Sequence, residues 1–128
     1  MADVDRERRE YVADLCQAYD CDSAALVGPG TSGTIGDADV SVRIFDSDVF
    51  RIEADPATGA AAGPIAIFLG MLEGCRNETY RLVIEQGVEL GRPSRLVAEV
   101  DFGDTGTAEE VRVSGTVVPV IEGTVTLP

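Results

Sequence analysis

The sequence has no histidine, no lysine and no tryptophan, and aromatic residues make up only 5% of it. Without histidine the chain cannot supply an imidazole base for a Ser-His-Asp or Cys-His arrangement, nor a His-containing zinc site. Without lysine there is no phosphate-loop lysine. Its three cysteines, Cys16, Cys21 and Cys75, are an odd number without Cys-x-x-Cys spacing. They read as reduced, small hydrophobes rather than as a disulfide framework, a reactive thiol or a metal site. A long apolar run is also missing: the charge-free stretch 56–72 is broken by Gly63, Pro64 and Gly70, and falls short of the roughly 20 residues a bilayer-spanning helix needs. The start, Met1-Ala-Asp-Val-Asp-Arg-Glu-Arg-Arg-Glu10, is a charged helix start and not a basic segment leading into an apolar core. It predicts no export and a cytoplasmic location. On that reading the glycosylation-type triplet Asn77-Glu78-Thr79 carries no chemistry.

What remains is a chain of 128 residues, 45% hydrophobic, with 23 acidic residues against ten arginines and a formal net charge of −13. The length and apolar content predict a single folded domain over 1–128 that needs no metal or disulfide to hold it. The charge repels polyanions and anionic lipid surfaces, which excludes nucleic acid and membrane as partners. A surface of carboxylates without lysine also fits concentrated salt, where a Debye length of about 3 Å at 1 M removes their mutual repulsion.

Residues 5–19 place Tyr11, Val12, Leu15, Cys16 and Tyr19 on one helical stripe, which predicts an amphipathic surface helix. Residues 24–27 and the alternation Val40, Val42, Ile44 predict two short strands. The breaker-rich segment Gly28-Pro-Gly30-Thr-Ser-Gly33 lies between them. It matches the glycine spacing of a dinucleotide loop but leads into a strand rather than a helix, so it reads as a plain loop. Stretch 56–72 predicts a core helix, apolar all round, over about 58–73, with Pro64 interrupting an early start and fitting the first turn of a later one. After Gly74 the period changes to two. Strands are expected at 79–85, 95–101, 110–113, 116–121 and 124–127, with Ser114-Gly115 turning a hairpin. The resulting expectation is an α+β domain: a curved, mostly antiparallel β-sheet wrapped around a central apolar helix, plus the N-terminal surface helix.

Two polar clusters stand out. Asp55-Pro56-Ala57-Thr58-Gly59-Ala60 sets a carboxylate, a fixed-φ proline and small residues with free amides at the mouth of the core helix, where the helix dipole favours an anionic ligand. The same residues would equally serve if Asp55 or Thr58 merely capped the helix. Glu85-Gln86-Gly87, followed by Gly91-Arg92-Pro93-Ser94, offers Gln86 as a hydrogen-bonding group. Arg92 would either hold a carboxylate or fix the loop through Glu85 or Glu89.

Three ordered segments, Glu53-Ala-Asp55-Pro-Ala-Thr-Gly-Ala-Ala-Ala-Gly-Pro64, Val83-Ile-Glu-Gln-Gly-Val-Glu-Leu-Gly-Arg-Pro-Ser94 and Val111-Arg-Val-Ser-Gly-Thr-Val-Val-Pro-Val-Ile-Glu-Gly123, resemble the C-terminal half of the PhzF-like isomerase family of phenazine biosynthesis. The resemblance runs from about residue 5 onward. It implies one half of a diaminopimelate-epimerase-like fold, in which two similar halves close a cofactor-free active site between them. It makes Asp55 the counterpart of the catalytic-site aspartate in the Asp-Pro-x-Thr-Gly motif. Thr58, Gly59, Ala60, Gln86 and Arg92 become substrate-binding candidates, with no metal and no cofactor. Gly59 matches the family glycine, and Ala60 stands where serine is usual, which removes a hydroxyl but keeps the amide. The family's proton-shuttling glutamate and Gly-His pair belong to the other half. The implied function is therefore cofactor-independent proton transfer on a small carboxylated metabolite. It would be completed by a homodimer partner or a separately encoded N-terminal half; the alternative is a non-catalytic module for small-anion binding or subunit pairing.

Overall fold

The computed structural model describes residues 11–30, 35–46 and 55–126. The charged start, residues 31–34 of the glycine loop, the acidic turn around Asp48 and Leu127 lie outside them.

Helix α1 covers residues 11–18, with Val12 and Cys16 of the expected stripe buried and Tyr11 and Tyr19 exposed. Five strands follow: β1 (Ser23–Pro29), β2 (Val40–Asp46), β3 (Glu78–Gln86), β4 (Ser94–Phe102) and β5 (Ala108–Gly115). They form one sheet in sequence order, antiparallel at every step except β2–β3. A parallel step needs a crossover, and helix α2 (Gly59–Glu73) supplies it. The α+β class and the mostly antiparallel sheet packed on a central apolar helix are as the sequence predicts.

The strand period of two decides what α2 meets. Leu82 and Ile84 on β3, Leu96, Ala98, Val100 and Phe102 on β4, and Val42 and Ile44 on β2 share one core with Ala62, Ile65 and Ala66 of α2. Small residues let the layers close. A methyl added at Gly70 would come within 2.5 Å of the Phe102 ring and 3.2 Å of Tyr80. Val83 and Val97, on the other face, are buried too. The described residues cover one side of α2, and Phe68, Met71 and Leu72 on its outer side are exposed.

The N-terminal end of α2 differs from simple expectation, and the C-terminal end follows it. Pro64 lies inside the helix rather than in its first turn, because the helix starts as early as Gly59. It is exposed, so the hydrogen bond it cannot make is lost on the solvent side. The other end closes with Gly74 at φ 77°, where the amide of Cys75 reaches Gly70 O at 3.0 Å and that of Gly74 reaches Met71 O at 3.1 Å. This pair is the Schellman closure that a left-handed glycine permits.

The strands expected at 116–121 and 124–127 are not formed over the described residues. Residues 116–126 have no regular structure, and Val117, Val118, Val120, Ile121 and Val125 are exposed. Ser114 and Gly115 end β5 and do not turn a hairpin. Alternation gives a segment two faces but no partner edge, and Pro119 removes one ladder donor.

Candidate functional site

Strand β3 runs antiparallel to the axis of α2, and its core-facing row ends in a polar residue at each side. From Tyr80 to Gln86 the strand spans about 20 Å, and from Thr58 to Glu73 the helix spans about 22 Å. The two lengths match, so each polar end of the strand meets one end of the helix. At the far end the Tyr80 hydroxyl donates to Glu73 Oε1 at 3.0 Å. At the near end the side chain of Gln86, only 2% exposed, lies against the loop that enters the helix.

That loop is held by a closed set of hydrogen bonds. The Asp55 carboxylate accepts the Ala57 amide at Oδ1, 3.1 Å, and the Thr58 hydroxyl at Oδ2, 2.8 Å. Gln86 Oε1 accepts the Thr58 amide at 3.1 Å, while Gln86 Nε2 donates to Asp55 O at 2.6 Å and to Thr58 Oγ1 at 2.9 Å. Proline at 56 holds φ for the turn. Gly87, at φ 78°, lies so close to it that a Cβ would come within 2.9 Å of Pro56 Cα and 2.5 Å of Arg92 O.

Neither candidate caps the helix. Thr58 makes no side-chain cap bond, its hydroxyl being committed to Asp55 and Gln86. Both Asp55 oxygens turn to Ala57 and Thr58, and Asp55 itself is part-exposed. Gly59 and Ala60 are exposed in the first turn, where helix geometry leaves their own amides without an intrahelical acceptor, while the Ala61 amide donates to Thr58 O at 3.1 Å. No acidic residue occupies that turn. The result is a part-exposed carboxylate beside a helix end that carries partial positive charge.

The structure thus brings Asp55, Thr58, Gly59, Ala60 and Gln86 together. Arg92 joins them through its backbone. Its amide, with that of Leu90, donates to Gly87 O, and its carbonyl packs on Gly87. Its side chain is exposed. Glu89 lies 3.6 Å from Arg43 on β2 and Glu85 is buried in β3, so backbone bonds tie this loop. The contact of Gly87 with Pro56 was not foreseen from the sequence. The signal for it was the glycine directly after the last core-facing residue of a strand.

The chain thus pairs an α-helix with a mostly antiparallel sheet and sets an Asp-Pro-x-Thr-Gly loop at the helix mouth. Residues 7–123 match the model of the phenazine biosynthesis-like protein family, and the chain belongs to that family. It is 40% identical over 85 residues to trans-2,3-dihydro-3-hydroxyanthranilate isomerase of Pseudomonas chlororaphis, a match covering 66% of this chain and 30% of that protein. With the enzyme of the same name from Pseudomonas aeruginosa it shares 43% over 76 residues, 57% of this chain and 26% of the other. With the uncharacterised isomerase YfhB of Bacillus subtilis it shares 30% over 95 residues, 73% and 31% of the two chains. The chain thus spans about a third or less of the length of these relatives.

Proposed function

We propose that the chain is one lobe of a cofactor-independent isomerase that moves a proton on a small carboxylated metabolite, of the chemical kind named for its Pseudomonas relatives. Asp55 is the acid/base group of this lobe. The amides of Gly59 and Ala60, with the helix dipole behind them, receive the substrate carboxylate. Thr58 and Gln86 hold the loop, and the exposed Arg92 side chain at its rim is free to meet an anion. The observation that carries this reading is that Thr58 and Asp55 leave the helix uncapped while fixing a part-exposed carboxylate beside it. A second lobe, from another copy of this chain or a separately made half, closes the cleft and supplies further groups. Two Asp55 carboxylates meeting across a two-fold axis would keep one proton between them, as acid/base pairs do.

A second reading, in which the lobe only binds an anion or pairs with a partner, draws on the exposed Gly59 and Ala60 in a helix turn that carries no acid. Deuterium incorporation from D₂O into a dihydro-hydroxyanthranilate separates the two. Wild type incorporates label and Asp55→Asn loses about 100-fold or more of the rate if the carboxylate moves the proton. Binding of the substrate without incorporation by either form supports the module.

A further inference from the structure

We propose that Gln86 is a positioning residue: it sets the direction of the Thr58 hydroxyl and through it holds one oxygen of the Asp55 carboxylate, without touching the ligand itself. This deepens the reading of Asp55 as the site carboxylate and rests on it. The amide of Gln86 can face only one way. Gln86 Oε1 meets a backbone N–H, that of Thr58, and Nε2 meets a backbone carbonyl, that of Asp55. Exchanging the two ends would set donor against donor and acceptor against acceptor, so the backbone fixes the orientation. The second Nε2 hydrogen then points at Thr58 Oγ1, 2.9 Å away. A hydroxyl that accepts there must send its own hydrogen elsewhere, and the acceptor in reach is Asp55 Oδ2 at 2.8 Å. The chain therefore has one polarity, from the Gln86 amide through the Thr58 hydroxyl to the Asp55 carboxylate.

With both amide hydrogens spent inside the protein and the side chain 2% exposed, Gln86 has no donor left for a ligand. Burial also keeps water from replacing it. The next residue reinforces the same loop from the backbone side, where Gly87 packs on Pro56.

The substitution Gln86→Glu tests this, because it keeps shape and changes only the hydrogens. A protonated Glu at this position can still donate to Asp55 O and accept from Thr58 N–H; an ionised one sets a negative oxygen against that carbonyl. The titratable groups around it are Asp55 in the loop and Glu85 beside it on β3, both present in wild type. Its register partners Val42 on β2 and Ser94 on β4 carry no charge, and the first turn of α2 has no acid. The folded-state pKa of this new carboxyl should thus exceed its unfolded value near 4.3, so stability is retained below that pH and lost as pH rises. The expected result is a melting temperature close to wild type at about pH 4.5 that falls below it by about 5 °C or more at neutral pH. Parallel melting curves across that range overturn the proposal, since the carboxyl would then be neither buried nor set against the Asp55 carbonyl.

Wild type supplies a second readout should the variant not fold. The side-chain amide hydrogens of Gln86 should exchange with water far more slowly than those of Gln17, which is exposed on α1. Equal rates for the two overturn the proposal. In Gln86→Met, deuterium incorporation should fall about tenfold or more with substrate affinity kept; lost affinity with an unchanged rate would make Gln86 a ligand contact and overturn it. Absence of incorporation in wild type would sink the isomerase reading, while exchange and melting would still decide the place of Gln86.

Discussion

Gly87 shows how one residue can hold a site together without chemistry of its own. Its φ of 78° disfavours any L side chain, and a Cβ there would press on Pro56 and on the carbonyl of Arg92. Gly87→Ala should therefore destabilise the chain by about 1–3 kcal/mol through backbone strain and displace the Asp55 loop as well. Denaturant unfolding measures the first effect, and the amide chemical shifts of Ala57 and Thr58 report the second. Unchanged shifts with unchanged stability would mean that the contact of Gly87 with Pro56 does not hold the loop. The carboxylate, the proline and Gly59 were legible from the sequence as one cluster and Gly87 as part of a second, because each residue type has a local physical use. Their mutual contacts were not. They depend on the near-equal lengths of β3 and α2, a property of two elements rather than of either motif.

At the scale of elements, the helix and the five strands followed from hydrophobic period, while two further strands did not. Strands β3 and β4 bury alternate apolar residues against α2, and their periodicity is a direct record of that contact. Residues 116–126 are equally rich in β-branched residues but remain exposed, because a strand needs a partner edge that its own sequence cannot provide. Tyr80 and Glu73 tie the C-terminal end of α2 to β3. Burial first, and then that hydrogen bond, push the Tyr80 hydroxyl up from 10.0 to about 12. The folded state thus keeps a proton that the unfolded state releases, so this stabilisation is present below about pH 10 and lost as pH rises toward 12. Ultraviolet titration should show one tyrosine ionising late, and Glu73→Gln should bring it earlier. The ladder between β4 and β5 has its own acid-side signature. The hydrogen bonds from Arg112, first, and from Thr79 hold Asp101 below its usual 3.8. That contribution is present above about pH 4 and is lost as pH falls through the lowered value. Arg112→Ala should flatten this part of the acid unfolding profile; an identical profile would show the pair to be energetically silent.

The molecule as a whole carries a charge of −13 and, among the described residues, no helix long and apolar enough to cross a membrane. Among the described residues, ion pairs such as Arg95 with Asp37 and Arg112 with Asp101 and Glu110 are at least partly exposed, and such pairs contribute little where salt screens them. Repulsion among unpaired carboxylates should therefore dominate the response to salt. Melting temperature should rise from low to molar KCl; a flat or falling response would remove the case for an acidic surface adapted to concentrated salt.

Everything proposed for the site turns on whether Asp55, set beside the open end of α2, passes a proton to or from carbon. Mass spectrometry of a dihydro-hydroxyanthranilate incubated in D₂O, with the chain over a wide range of concentrations, reads this directly. The account predicts one deuterium taken up with wild type and almost none with Asp55→Asn. Equal uptake with both forms, or none with wild type at any concentration, would contradict it.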